Sequence, residues 1–316
     1  MVGFVGRRFL LMIPTIVGIS IIIFLMVRLM PGDVIEVLFG GDVTATEEQI
    51  EQAREQLGLN GSYPEQYWSW ASGVVTGDFG DSFRNAEPVG DILLRAVPIT
   101  LELMILSLLI ATVLGVPLGV ISAVRRDSAS DYASRIGGLV GISVPSFWLA
   151  TLLLLLTSRV FGWVPPLTYT PFFDDPLTNL TQFILPAVSI SVFTLAIVMR
   201  MVRATMLEVL SQDYVRTARA KGARHRVVVY RHALRNALIP VVTIVGFEVG
   251  ILMGGAAIVE IIFGLPGVGY VLLQSIFNRD YPVVQGATLL IAVIFVVANT
   301  LVDIVYGWLD PRISQG

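Results

Sequence analysis

Cysteine is absent from the 316 residues, which excludes disulfides, iron–sulfur clusters and thiolate metal sites. Histidine occurs twice, at His225 and His232, so a histidine-rich metal site is not expected either. Lysine occurs once, at Lys221, and nothing in the sequence explains why arginine supplies every other cation. Charge of either sign is scarce: 14% of residues are Asp, Glu, Lys or Arg, against about a quarter in soluble domains. With 55% hydrophobic residues and a mean hydropathy of +0.78, an ordinary soluble domain is excluded. No internal repeat, low-complexity tract or second soluble domain is visible.

What is present is a series of apolar runs near the ~20 residues that a bilayer-spanning helix needs. Only helices or closed barrels satisfy the backbone in lipid, and runs without period-2 alternation choose helices. The expected architecture is all-α, a single polytopic domain over 1–316 with six spans at about 9–29, 99–124, 136–156, 183–201, 239–259 and 287–309. The first run follows Arg7 and Arg8 and is longer than a signal peptide's apolar stretch, so it is read as a retained span. Pro145 interrupts the third. Between the first two spans lies a polar outer region, 30–97, with a capping-box pattern at Thr46–Gln49 and aromatics Tyr67, Trp68 and Trp70 suited to an interface.

The charges are segregated. Arg7, Arg8, Arg125, Arg126, Arg135 and the arginines from Arg200 to Arg235 mark one side, whereas region 30–97 is rich in Asp and Glu. By the positive-inside rule both termini are expected in the cytoplasm.

No catalytic constellation is present. The glycines of Phe263–Gly269 lack the Lys-Ser/Thr of a phosphate loop, and neither histidine lies near a nucleophile motif. Energy for work on a solute must therefore come from another chain or an ion gradient. Acids inside spans are costly and point to function. Glu248 falls mid-span and either lines a solute pathway or pairs within the bundle. Glu102 and Asp303 lie nearer span ends, where an interfacial role competes with a pathway role. An ion-coupled secondary carrier would use such acids.

The sharpest signal is the polar stretch Ser211–Pro240, in which Arg216, Arg219, Lys221, Arg224, Arg226, Arg231 and Arg235 face the single acid Asp213. Its pattern predicts two short helices joined at Gly222. Ser211 and Asp213 supply cap and dipole chemistry, Lys221 stands in the last turn, and Gly222 stops the first helix. Val227, Tyr230, Leu234 and Leu238 give the second helix an apolar side up to Pro240. Anionic lipid would attract the arginines, but that does not account for the order Asp213-Tyr214, Ala218, Lys221-Gly222. Small Ala218 and Ala220 suit close packing into another protein's groove.

At these residues the chain resembles the permease subunits of binding-protein-dependent ABC importers, in the branch that carries dipeptides, oligopeptides, nickel or glutathione. The resemblance rests on Asp213–Gly222 and His232–Pro240, and extends to Met30-Pro31-Gly32-Asp33, Gly77-Asp78-Phe79-Gly80, Pro98–Leu103, Pro266-Gly267-Val268-Gly269, Arg279-Asp280-Tyr281-Pro282 and Asp310-Pro311-Arg312. Where the general loop pattern has Glu-Ala-Ala, this chain has Arg216, Thr217 and Ala218, as is usual in the peptide branch. The resemblance implies a type I importer permease fold in a bacterial or archaeal inner membrane. It implies a second related permease, two cytoplasmic ATPases that carry ATP and magnesium, and an external solute-binding protein as partners. No cofactor in this chain and no nucleic acid is implied. Hairpin 203–238 would couple to the ATPases through Asp213, Tyr214, Ala218, Arg219, Lys221 and Gly222.

Overall fold

The computed structural model describes residues 2–29 and 60–309, so the Thr46–Gln49, Met30–Asp33 and Asp310–Arg312 motifs fall outside it. The described residues form helices without a named strand: α1 (Val2–Leu29), α2 (Tyr63–Thr76), α3 (Val89–Val124), α4 (Ala129–Ser143), α5 (Ser146–Phe161), α6 (Pro176–Leu210), α7 (Asp213–Ala220), α8 (Leu234–Phe263), α9 (Val268–Phe277) and α10 (Tyr281–Leu309). A short turn, His225–Val227, and a π-helical segment, Val228–Ala233, run without a break into α8.

Among the described residues five segments are long and apolar enough to cross a bilayer: Gly6–Leu29, Val89–Val124, Pro176–Leu210, His225–Gly250 and Tyr281–Ile304. Two bent helix pairs, α4 with α5 and the end of α8 with α9, pass the same test together, giving up to seven spans. The expected third span is thus not one interrupted helix but two, meeting at 101°. Pro145 is the cause: it pushes Val144 into the extended region (φ −86°, ψ 119°) and itself opens α5 with an extended ψ of 136°. The second bend, of 85°, follows Gly264, which closes α8 at φ +66°. The predicted spans also start late. At 36 residues, α3 is about 54 Å long, well beyond the ~30 Å hydrocarbon layer.

Helices α3, α6 and α8 form the centre, with buried side chains in three stacked clusters. Near one end Val89, Leu93 and Ala96 of α3 meet Val268 of α9 and Val283 and Ala287 of α10. In the middle Leu103, Phe183, Ala187, Leu252 and Val259 pack together. At the other end Val120 and Ala123 meet Val198, Val202, Met206, Ala233, Ala237 and Val241. Helices α3 and α6 approach closely because Gly119 presents no side chain: a Cβ there would lie 2.6 Å from the Met199 carbonyl oxygen. Small residues at such crossings are how bilayer helices gain contact.

Helix α1 stands at the edge. Its Phe24 is buried edge-on against Tyr67 of α2 at 5.6 Å, and Ser20 shares a hydrogen bond of 2.9 Å with the Tyr67 hydroxyl. Tyr67 and Trp70 therefore serve packing, while Trp68 is exposed. Arg28 stacks 5.3 Å from the Phe24 ring centre. Glu65 reaches back to the Ser62 amide at 2.8 Å, a contact that holds its carboxyl below the usual carboxylate range.

Candidate functional site

The polar contacts sort to the two ends of the bundle. The end that carries Arg125, Arg126 and the arginines after Arg200 holds the elbow formed by α7 and the start of α8. Eight residues are too few for a helix to persist alone in water, so α7 depends on what it rests against. Val215 is fully buried, as are Val228 and Ala233 of the π-helical segment beside it. Next to it the Tyr214 hydroxyl accepts a hydrogen bond from Asn236 Nδ2 at 2.8 Å and donates to the His232 carbonyl at 3.4 Å. Two consecutive residues thus pin α7 to the first turns of α8.

Its remaining surface is open. Asp213, Arg216, Thr217, Arg219, Ala220 and Lys221 are exposed and Ala218 is half-buried. Asp213 lies in the first turn and Arg219 in the last, each at the end that favours its charge. Asp213 and Arg216 approach to 3.5 Å, but at this exposure the pair contributes little. The cap is Gln212, which makes no side-chain bond, rather than Ser211. Gly222 has the expected left-handed backbone, φ +79°, and the amides of Lys221, Gly222 and Ala223 turn back onto Thr217, Arg219 and Ala218 carbonyls. The second arm differs from the expected short helix ending at Pro240. It continues as α8 straight through that proline, and the Thr205 hydroxyl of α6 donates to the nearby Ala237 carbonyl at 3.0 Å.

Behind the elbow sits an ion pair that the pattern of basic loops conceals. Asp131, fully buried at the start of α4, receives Nε and Nη2 of Arg203 at 2.7 and 2.9 Å. It also receives the Ser122 hydroxyl at 2.6 Å and the amide of Asp127, a residue at φ +59°. One carboxylate so joins the ends of α3, α4 and α6.

The intramembrane acids are not brought together. Glu248 is buried in α8 and takes the Thr194 hydroxyl of α6 at 3.0 Å. Thr194 also lines a cavity of about 270 Å³ at the Val144–Pro145 bend. Glu102 of α3 is half-buried near Asn179 and Tyr169, with its Oε1 lacking a hydrogen-bond partner. Burial, then the Glu102 charge, pushes the Tyr169 hydroxyl up. Asp303 pairs with Arg8 of α1 at 2.8 Å, both side chains about two-fifths exposed.

A fourth acid, Glu260, falls one residue past the predicted end of the fifth span, which is why the sequence reading passed it over. It is fully buried. Its Oε1 accepts from Thr100 Oγ1 at 2.7 Å and its Oε2 from the Tyr270 amide at 2.8 Å, while Thr100 Oγ1 accepts the Val268 amide at 2.8 Å. Glu260 and Thr100 together cap α9. Pro266-Gly267-Val268-Gly269 gains a reason: a Cβ on Gly267 would lie 2.3 Å from Glu260 Oε1, and one on Gly269 would lie 2.5 Å from Ala257 Cα. At the same end Asp280 accepts from the Ser82 hydroxyl and the Phe83 amide, tying the Arg279–Pro282 motif to the turn just after Gly77–Gly80.

Residues 115–315 match the family described as the binding-protein-dependent transport system inner membrane component, and residues 1–104 match its N-terminal counterpart. The chain is 38% identical to a dipeptide transport system permease protein of Alkalihalophilus pseudofirmus, over 99% of this chain and 100% of the relative. It is 39% identical to a di/tripeptide transport system permease protein of Pseudomonas aeruginosa, over 100% of this chain and 99% of that relative.

Proposed function

Given that the chain belongs to the binding-protein-dependent transport system inner membrane components, we propose that its solute is a short peptide and that α7 is the part an ATPase grips. The peptide reading is supported by the relatives' names and their full-length similarity. In this reading a second related permease completes the pathway, an external binding protein delivers the peptide, and two ATPases on the cytoplasmic side bind and hydrolyse ATP with magnesium. The basic end, with α7, faces the cytoplasm, and so do both termini. Glu248, held by Thr194 beside the cavity at the α4–α5 bend, lies on the peptide's route, with Glu102 towards the outer end and Asp303 at the inner one.

The observation that carries the coupling role is the division of α7's surface. Val215 is buried beside the π-helical segment and Tyr214 bonds to His232 and Asn236, while Asp213, Arg216, Thr217, Arg219, Ala220 and Lys221 are left exposed. A short helix fixed on one side moves as a rigid body with the helices behind it, so a push from a gripping groove reaches the bundle undamped.

Gly222→Asp tests this. A Cβ at Gly222 meets nothing within 4 Å, so the only structural cost is the left-handed backbone, about 1 kcal/mol and least for Asp or Asn. The elbow survives, but a carboxylate stands where the groove closes. In the reconstituted complex peptide uptake is expected to fall at least about tenfold, the equivalent of ~1.4 kcal/mol, with ATP hydrolysis continuing and the subunit still in the membrane. Wild-type uptake by the variant would refute the assignment.

A further inference from the structure

Between the elbow and the ends of α3 and α6 lies a cavity of about 290 Å³, to which the coupling helix contributes Arg219 alone. Its lining includes Arg126, Arg219, His225 and Ser211, together with an apolar wall of Ala123, Val124, Leu207 and Leu210. No acid lines it. Arg126 has Asp127 3.3 Å away on its outer side, with both side chains largely in solvent, and Arg219 and His225 enter no ion pair among the described residues. The nearest other acids are spoken for or point elsewhere: Asp131 is locked to Arg203, and Glu208 and Asp213 are exposed on α6 and α7 without lining the cavity.

We propose that this cavity binds the phosphate of an anionic phospholipid whose acyl chains run along the adjoining bilayer. Two arginines and a histidine lining one space suit an oxyanion, and arginine takes phosphate oxygens in a two-pronged grip. The apolar wall decides between lipid and free phosphate. Val124 is the last residue of α3, and Leu207 and Leu210 belong to the last turns of α6, so the cavity lies at the basic end of two membrane-crossing helices, and the proposal sets it at headgroup depth. A free phosphate would leave that wall bare, whereas the glycerol and first methylenes of a lipid cover it. Basic pockets between helices on the cytoplasmic side are of this kind. The bound headgroup would brace the elbow from behind, touching Arg219 at the end of α7 and His225 at the start of the second arm.

The proposed cytoplasmic placement of α7 enters only in saying which leaflet supplies the lipid. Binding is therefore measured in bilayers of symmetric composition, and sidedness separately, by labelling a cysteine introduced at Arg224. The assembled transporter is reconstituted into phosphatidylcholine nanodiscs containing a minor fraction of phosphatidylglycerol, extracted into detergent and weighed by native mass spectrometry. Wild-type complex is expected to retain phosphatidylglycerol, and millimolar inorganic phosphate is expected not to displace it. Arg126→Ala should lower retention about fivefold, the share of one cation in holding an anionic lipid, and Arg126→Glu should lower it further. Arg135→Ala removes the same charge at an exposed position away from the cavity and should leave retention unchanged. Equal losses at Arg126 and Arg135 would mean diffuse attraction and would overturn the site. Displacement by inorganic phosphate would assign the cavity to a soluble anion instead. Retention by the isolated subunit that disappears once the ATPases bind would assign it to an acidic side chain of those partners. A label that reacts only from outside, with retention intact, would overturn the orientation and leave the lipid site standing.

Discussion

Replacing Glu260 by alanine is expected to destabilise the subunit by on the order of 3–5 kcal/mol, the sum of a stranded buried amide and the cavity left behind. The carboxylate is fully buried and holds Thr100 of α3 and the Tyr270 amide of α9 at hydrogen-bond distance. Thr100 in turn accepts from the Val268 amide, so one side chain commands two of the free amides that open α9. Alanine leaves the Tyr270 amide buried without an acceptor, at about 1–3 kcal/mol, adds a cavity, and turns the Thr100 hydroxyl towards empty space. Glu260→Gln keeps the volume and one acceptor oxygen but points an N–H at a donor, so it should fall between the two. Unfolding in mixed micelles by titrated denaturing detergent reads the order wild type, Gln, Ala. An alanine variant within about 0.5 kcal/mol of wild type, the usual scatter of an inconsequential surface change, would remove Glu260 from its capping role. The carboxylate and Gly267 should also be coupled. Gly267→Ala forces a Cβ into Glu260 Oε1 and the Thr100 hydroxyl, and part of that cost disappears once the carboxylate is gone.

How far the fold could be read in advance follows from what each residue announces on its own. The spans are legible because hydropathy is a local sum, and so is the Gly222 stop, because a left-handed residue after a short amphipathic run needs glycine. Pro145 announces a break but not its angle, since 101° depends on where α6 lets α4 and α5 settle. The second arm of the elbow was read as a separate helix because Pro240 resembles a stop. The π-helical turn at Val228–Ala233 instead buries Val228, Val229 and Ala233 together and carries the chain on as α8. Asp213 to Gly222 could be singled out by composition. What holds them, the Tyr214 hydroxyl on His232 and Asn236, spans 18 and 22 positions and is visible only after folding. Glu260 and Asp131 were missed for a related reason. An acid at a span boundary or in a basic loop looks solvated until its partners, 160 and 72 residues away, are known.

Breaking the Asp131–Arg203 pair should have an effect as large, and one that separates stability from coupling. Asp131→Ala leaves a guanidinium that is three-quarters enclosed and a buried Ser122 hydroxyl without their acceptor, at about 3–5 kcal/mol. Arg203→Leu alone strands the carboxylate at a similar cost. The double variant strands neither, so its cost should fall short of the sum by about 2 kcal/mol or more, within the range of couplings between contacting residues. Additive losses would show that the two side chains touch without depending on each other. Asp131→Asn is the functional counterpart. It keeps the shape and the Ser122 bond but gives up the charge that draws Arg203 in. Because α6 runs from Arg203 to Leu210 and, two residues later, becomes α7, a looser Arg203 lets the elbow move without carrying α3 and α4 along. The Asn variant should therefore assemble and hydrolyse ATP while moving less peptide per ATP, a ratio that a purely structural pair would leave untouched. An unchanged ratio in a stably assembled Asn variant would confine Asp131 to holding the fold, and in the proposed coupling role α7 would then have to reach the bundle through Tyr214, Asn236 and α8 alone.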